Sequence, residues 1–226
     1  RCSCVSERIF AFPLMPSSNH TNQSFPLNIH CRDEGLEWDQ SGDMQYTSVS
    51  PHSPGVLLSG ECIVRAVFSP QHFGITGFTE DFVTDALKKG LSCQRVVSSS
   101  ESFPQDIHAH FISVSSNLSA SSGKPRKYLG FLTTRVGALR ALACNLDDPF
   151  VRSHRARVYD TALERNVGHC DVFLSDIATN ESQNKKLIKS EIRSRLFAIF
   201  CDGYFYRSPA VAESDSDLIH LQSMLV

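Results

Sequence analysis

What the chain lacks removes most familiar chemistries. It has neither a G-x-x-x-x-G-K-[ST] loop nor a G-x-G-x-x-G turn, so both common phosphate-cradling signatures are missing. It has no G-x-S-x-G, and no serine follows a strand in a nucleophile-elbow setting, which gives Ser/His/Asp hydrolysis little support. Its eight cysteines, at positions 2, 4, 31, 62, 93, 144, 170 and 201, never form a C-x-x-C, so zinc-ribbon and thioredoxin-like readings fail. After the Cys2/Cys4 pair they fall one per segment, the pattern of reduced thiols in a cytoplasmic protein. No apolar run reaches the roughly eighteen residues of a membrane-spanning helix. The opening R-C-S-C-V-S-E-R-I-F has no signal-peptide core. A formal net charge of −2 argues against general affinity for nucleic acid or an acidic membrane. The Asn-x-Ser/Thr sequons at Asn19, Asn22, Asn117 and Asn180 are unremarkable in so serine-rich a chain.

What is present suffices for a core. The 226 residues are 41% hydrophobic, enough for one large domain with extensions. Residues 1–55 lack periodicity, are rich in Pro, Ser, Asn and His, and read as an irregular N-terminal extension. Their acidic run at 31–43, with Trp38, misses the calcium-loop spacing and reads as a surface loop. From residue 56 to 203 we expect an α+β domain, and from 204 to 226 a C-terminal tail. The run E-C-I-V-R-A-V-F at 61–68 is β-branched and nearly continuous in apolar character, as a central strand should be. Thr79 then opens a helix that runs to Gly90, with Lys88 and Lys89 at its end and Gly90 as the stop. Strands follow at 91–97, 127–134 and 158–163. The segment 105–114 fits a strand or a helix, and 115–124 reads as a polar loop. The segment 136–144 is ambiguous. The surest helix is 184–200, where Ile188, Ile192, Leu196 and Ile199 trace one side. The expected architecture is a single domain with a mixed β-sheet and this long C-terminal helix packed across it.

The chemistry concentrates at 155–174, R-A-R-V-Y-D-T-A-L-E-R-N-V-G-H-C-D-V-F-L. His169 titrates nearest neutrality and can accept and return a proton. Asp171 or Asp160 can orient it, and Asn166 can polarise a carbonyl or cap a turn. Arg152, Arg155, Arg157 and Arg165 make the stretch attractive to a small anionic ligand. A dyad of His169 with the adjacent Cys170 is disfavoured, because adjacent side chains point apart. His108 and His110 would share one side of a strand, but a metal needs a third ligand that the sequence does not supply, so no metal and no cofactor are expected.

Three stretches carry a resemblance: E-C-I-V-R-A-V-F-S-P-Q-H at 61–72, K-G-L-S-C-Q-R at 89–95, and V-Y-D-T-A-L-E-R-N-V-G-H-C-D-V at 158–172. They look like a group of small uncharacterised bacterial proteins that carry "R-x-hydrophobic-x-x-P", then "G-L-S-x-x-R", then an "N-P-A-H-A"-like turn, here N-V-G-H-C. The resemblance implies a bacterial cytoplasmic setting rather than an activity. Two functions therefore stand side by side. One is a non-catalytic accessory or protein-interaction module. The other is a small hydrolase or group-transfer enzyme centred on His169, one form of which is an ADP-ribosyltransferase-like layout in which Arg65 in an early strand works with Glu164 or Glu191 as the acid. A cleft that holds His169 with a carboxylate and an arginine would favour the enzyme. A filled core around it would favour the module.

Overall fold

The computed structural model describes residues 43–46, 50–74, 77–79, 81–87, 90–97, 102–144, 154–174 and 185–225. Seven strands form one sheet in the order β6-β7-β8-β4-β1-β5-β9. They are β1 (Cys62–Ser69), β4 (Leu91–Arg95), β5 (Lys127–Arg135), β6 (Ala143–Cys144), β7 (His154–Asp160), β8 (His169–Leu174) and β9 (Phe205–Arg207). The short strands β2 (Phe73–Gly74) and β3 (Gly77–Phe78) make a separate ribbon. Every paired neighbour is antiparallel, so the sheet is not mixed as its sequence led us to expect. One reason is visible in β7 and β8, which are joined by a tight turn at Leu163–Asn166, a connection that suits antiparallel neighbours only.

Alternation along each strand divides the core in two. On one face Ile63, Val67, Leu91, Cys93, Val158, Cys170 and Val172 pack under helix α4 (Lys185–Cys201), which contributes the buried Ile192, Leu196 and Phe200. Full burial of each such side chain stabilises the fold by about 1.5–3 kcal/mol. On the other face Val64, Ala66, Phe68, Tyr128 and Phe131 pack under helix α2 (Gln105–Ser122) through Ile107 and Phe111. The fold is thus α+β, with a helix on each face of an antiparallel sheet. Helix α4 is not the last element. The chain continues into the edge strand β9, and the final helix is the nine-residue α5 (Ser216–Met224), whose Leu218 and Leu221 are buried. Residues after 203, expected as a tail, therefore build part of the sheet and the core.

Three local readings change. The segment 105–124 is helical almost throughout, and α2 ends at Gly123 in the left-handed conformation. Its serines lower helix propensity, but Ser116 donates to the Ile112 carbonyl and Ser122 to the Leu118 carbonyl, so their hydroxyls are spent inside the helix. Among the described residues of 79–90 there are a short helix α1 (Asp81–Thr84) and a 3-10 turn (Asp85–Leu87) in place of one continuous helix. Gly90 nevertheless closes the segment, at φ +92°, with its N–H donating to the Asp85 carbonyl at 3.0 Å. The segment 136–144 resolves into helix α3 (Val136–Arg140) followed by β6. The acidic run before residue 43, the Cys2/Cys4 pair and Arg152 lie outside the described residues.

Two arginines fasten the chain before β1 to the sheet. Buried Arg95 grips Glu61 with both arms, at 2.8 and 2.9 Å, and donates to the carbonyls of Gly55 and Val56. Arg140 donates to the carbonyls of Leu57 and Gln45 and lies over the Tyr46 ring, holding the 3-10 turn Asp43–Tyr46 against β7. Among the described residues no helix is long and apolar enough to cross a membrane.

Candidate functional site

The candidate site grows out of the β7–β8 hairpin. Leu163 and Asn166 exchange two backbone hydrogen bonds of 2.9 Å and close the turn, and the His169 N–H then donates to the Asn166 carbonyl. Asn166 thus shapes the turn with its backbone, and the strand β8 begins three residues later at His169. Val158, Asp160, Cys170 and Val172 point to the α4 side, whereas Thr161, His169 and Asp171 point to the α2 side, as strand alternation requires.

This parity decides which predicted groups meet. His169 and Asp171 come together, with Nδ1 3.7 Å from Oδ2. Thr161 sits between them. Its hydroxyl lies 2.8 Å from His169 Nδ1 and donates to Asp171 Oδ2 at 2.8 Å. The hydroxyl proton is spent on the carboxylate, so the network assigns the imidazole proton to Nδ1, which donates to Thr161, and leaves Nε2 with its lone pair. The Ser92 hydroxyl reaches the other Asp171 oxygen at 3.3 Å. His169 and Asp171 keep side-chain exposures of 19% and 13%, so this network is neither sealed nor open. His110 on α2 borders it, and its pKa is lowered by burial first and by the neighbouring His169 second.

Asp160 does not join them. It is buried on the α4 side, where the Ser53 hydroxyl and the Ala162 N–H donate to it and Arg95 Nη1 stands 3.8 Å away. Burial raises its pKa, and those three partners oppose the rise. It works as an anchor for the chain before β1 rather than as a partner of His169. Of the arginines expected to draw an anion, Arg165 is exposed at the hairpin tip and Arg157 lies half-buried on β7.

The sequence reading missed Thr161, Ser92 and Gln94. One signal was available: the quoted G-L-S-x-x-R and N-x-x-H stretches pair with each other, with Ser92 opposite Asp171 and Gln94 opposite His169. Nucleophiles are poorly supplied. Cys93 and Cys170 face the α4 core, where burial pushes the Cys93 thiol up to about 12 and the Cys170 thiol up as well. Cys201 is pushed up to about 11, also by burial. Among the described residues no group of three His, Cys, Asp or Glu side chains is arranged to hold a metal ion. The chain matches no family model, no curated protein and no solved structure with which it was compared.

Proposed function

We propose that this protein is a non-catalytic accessory module that holds another protein, with the polar face around His169 as its contact surface. The observation that carries this reading is the order of the network. In a nucleophilic triad the hydroxyl donates to the histidine, and the histidine donates to the carboxylate. Here the Thr161 hydroxyl stands between His169 and Asp171 and gives its proton to Asp171. Thr161 is therefore not activated for attack, and the buried thiols of Cys93 and Cys170 face away. What the arrangement does well is hold an imidazole rigidly, in one tautomer, on a partly exposed face. Cysteine usage and the resemblance support a bacterial-type, cytoplasmic setting for the module.

One observation favours the second reading, a small hydrolase or group-transfer enzyme. Nε2 of His169 is unspent and could serve as a general base toward water. His169→Gln separates the two. For a module, the variant loses its partner while its melting temperature stays within the shift expected of about 1 kcal/mol. Turnover of a generic ester, phosphodiester or dinucleotide substrate by the wild type, abolished in His169→Gln, would refute the module. A stability loss of about 1–3 kcal/mol without any functional loss would make His169 structural and refute both readings.

A further inference from the structure

We propose that Gln94 and His169 form a subsite for a planar N–H donor, the chemistry of a primary amide or a guanidinium, presented by the partner's side chain. This rests on the reading of the α2-side polar face as a contact surface and specifies what that face recognises.

The first argument is an unmet valence. Among the described residues, two buried side-chain polar atoms have no hydrogen-bond partner, Gln94 Oε1 and Arg65 Nε. Gln94 is only 7% exposed. A buried acceptor left without a donor is costly, and such groups call for a ligand, a water or a role. The second argument is direction. The Arg95 N–H donates to the Gly168 carbonyl, which fixes the phase of the β4–β8 ladder. The pairs Gln94–His169 and Ser92–Asp171 then fall at non-hydrogen-bonded positions, where facing side chains approach most closely. The Ser92–Asp171 contact of 3.3 Å agrees with that phase. Gln94 and His169 are thus immediate neighbours on one face.

The third argument is the kind of valence. Gln94 offers an acceptor, Oε1. His169 offers a second acceptor, Nε2, because Nδ1 is committed to Thr161. Both Asp171 oxygens already accept, one from Ser92 and one from Thr161. The row's unmet valences therefore ask for donors, and two acceptors on facing residues suit a planar group with two N–H bonds. Gly168 leaves room for the amide, since a Cβ there would strike the Gln94 amide nitrogen. Arg65 makes no ion pair with a described carboxylate, and its guanidinium donates to the Ser92 carbonyl at 2.7 Å from the α4 side. It lies beneath the row rather than on it.

The test uses the whole chain and three probes of one size: methylguanidine, acetamide and acetate. Ring-nitrogen and backbone amide NMR signals of His169, Thr161 and Gln94 are followed through each titration. The donors should move these signals and acetate should not, and Gln94→Met, which keeps the length but removes the acceptor, should weaken donor binding at least tenfold. A stronger response to methylguanidine identifies an arginine as the partner's group, and a stronger response to acetamide identifies an asparagine or glutamine. Acetate acting as strongly as the donors, or unaltered binding by Gln94→Met, overturns the subsite while leaving the face a contact surface. No response to any probe also overturns the subsite, and the module itself then stands or falls with the partner loss in His169→Gln. If Gln94→Met fails to fold, the contrast between donors and acetate on the wild type still decides.

Discussion

Arg95→Met should be among the most damaging single substitutions in this chain. Arg95 is 6% exposed and makes four hydrogen bonds, two to Glu61 and one each to the Gly55 and Val56 carbonyls. It also stands 3.8 Å from the carboxylate of Asp160, which is 1% exposed. Methionine fills much of the volume but leaves Asp160 as a buried, unpaired charge and strips both carbonyls of a donor. Breaking a buried pair from one side costs about 3–5 kcal/mol. For a chain of this size that is about 6–20 °C in melting temperature. Chemical denaturation of Arg95→Met at pH 7 measures it. The penalty should shrink as pH falls. Burial already raises the Asp160 pKa, and without Arg95 it rises further above the unfolded value, so the instability is present at high pH and lost as pH drops through the folded pKa. Arg95→Met/Asp160→Asn should recover at least about 1 kcal/mol over the single variant at pH 7. A loss under about 1 kcal/mol, or one independent of pH between 5 and 7, would refute this account of the anchor.

Gly90→Val should cost at least about 1–2 kcal/mol, because Gly90 has φ +92° and a Cβ there would stand 2.7 Å from the Phe173 ring; an unchanged melting midpoint would count against the cap. His72 is buried against Phe68 and Phe82, and burial, then the Arg65 charge, holds its pKa well below the usual value. The unfolded chain therefore binds the extra proton below about pH 6.5, and stability should fall by up to about 1.4 kcal/mol per pH unit as the medium is acidified, a slope that His72→Phe should reduce. Cys93 and Cys170, with raised pKa values, should resist iodoacetamide at pH 8 in the native protein and react in denaturant; fast native labelling would contradict their burial. Thiol counting before and after reduction should reveal no bridge beyond a Cys2–Cys4 pair, and two or more long-range bridges would overturn the cytoplasmic proposal.

The elements that could be read in sequence are those whose burial is written in a local period. β1 is a continuous apolar run, and α4 carries Ile192, Leu196 and Phe200 at helical spacing. The segment 105–114 fits a strand or a helix and 115–124 reads as a loop because serine and asparagine dominate it, yet Ile107, Phe111, Val114 and Leu118 keep a 4-3-4 spacing that carries the helix into it. The stripe outweighs propensity, since three to four apolar contacts exceed the few tenths of a kcal/mol that each serine costs. The all-antiparallel order could not be read, because β4 pairs with a strand some 78 residues later and no local pattern encodes which strands meet.

The site divides along the same line. His169 and Asp171 could be read because they are two apart on one strand and must share a face. The same rule, applied to β7, separates Asp160 from Tyr159 and Thr161. It favours Thr161 as the imidazole's partner once the hairpin is known to bring β7 beside β8. Ser92 and Gln94 could not be found this way, because their place beside Asp171 and His169 depends on the register of β4 against β8. A shift of one residue would put Cys93 opposite His169 and Gln94 opposite Gly168. Register is fixed here by burial, since Leu91, Cys93, Cys170 and Val172 must all enter the α4-side core together. The apolar half of these two strands therefore sets the geometry of the polar half. A substitution in the core pair Cys93–Cys170 that loosens the ladder should disturb His169 as surely as one beside it.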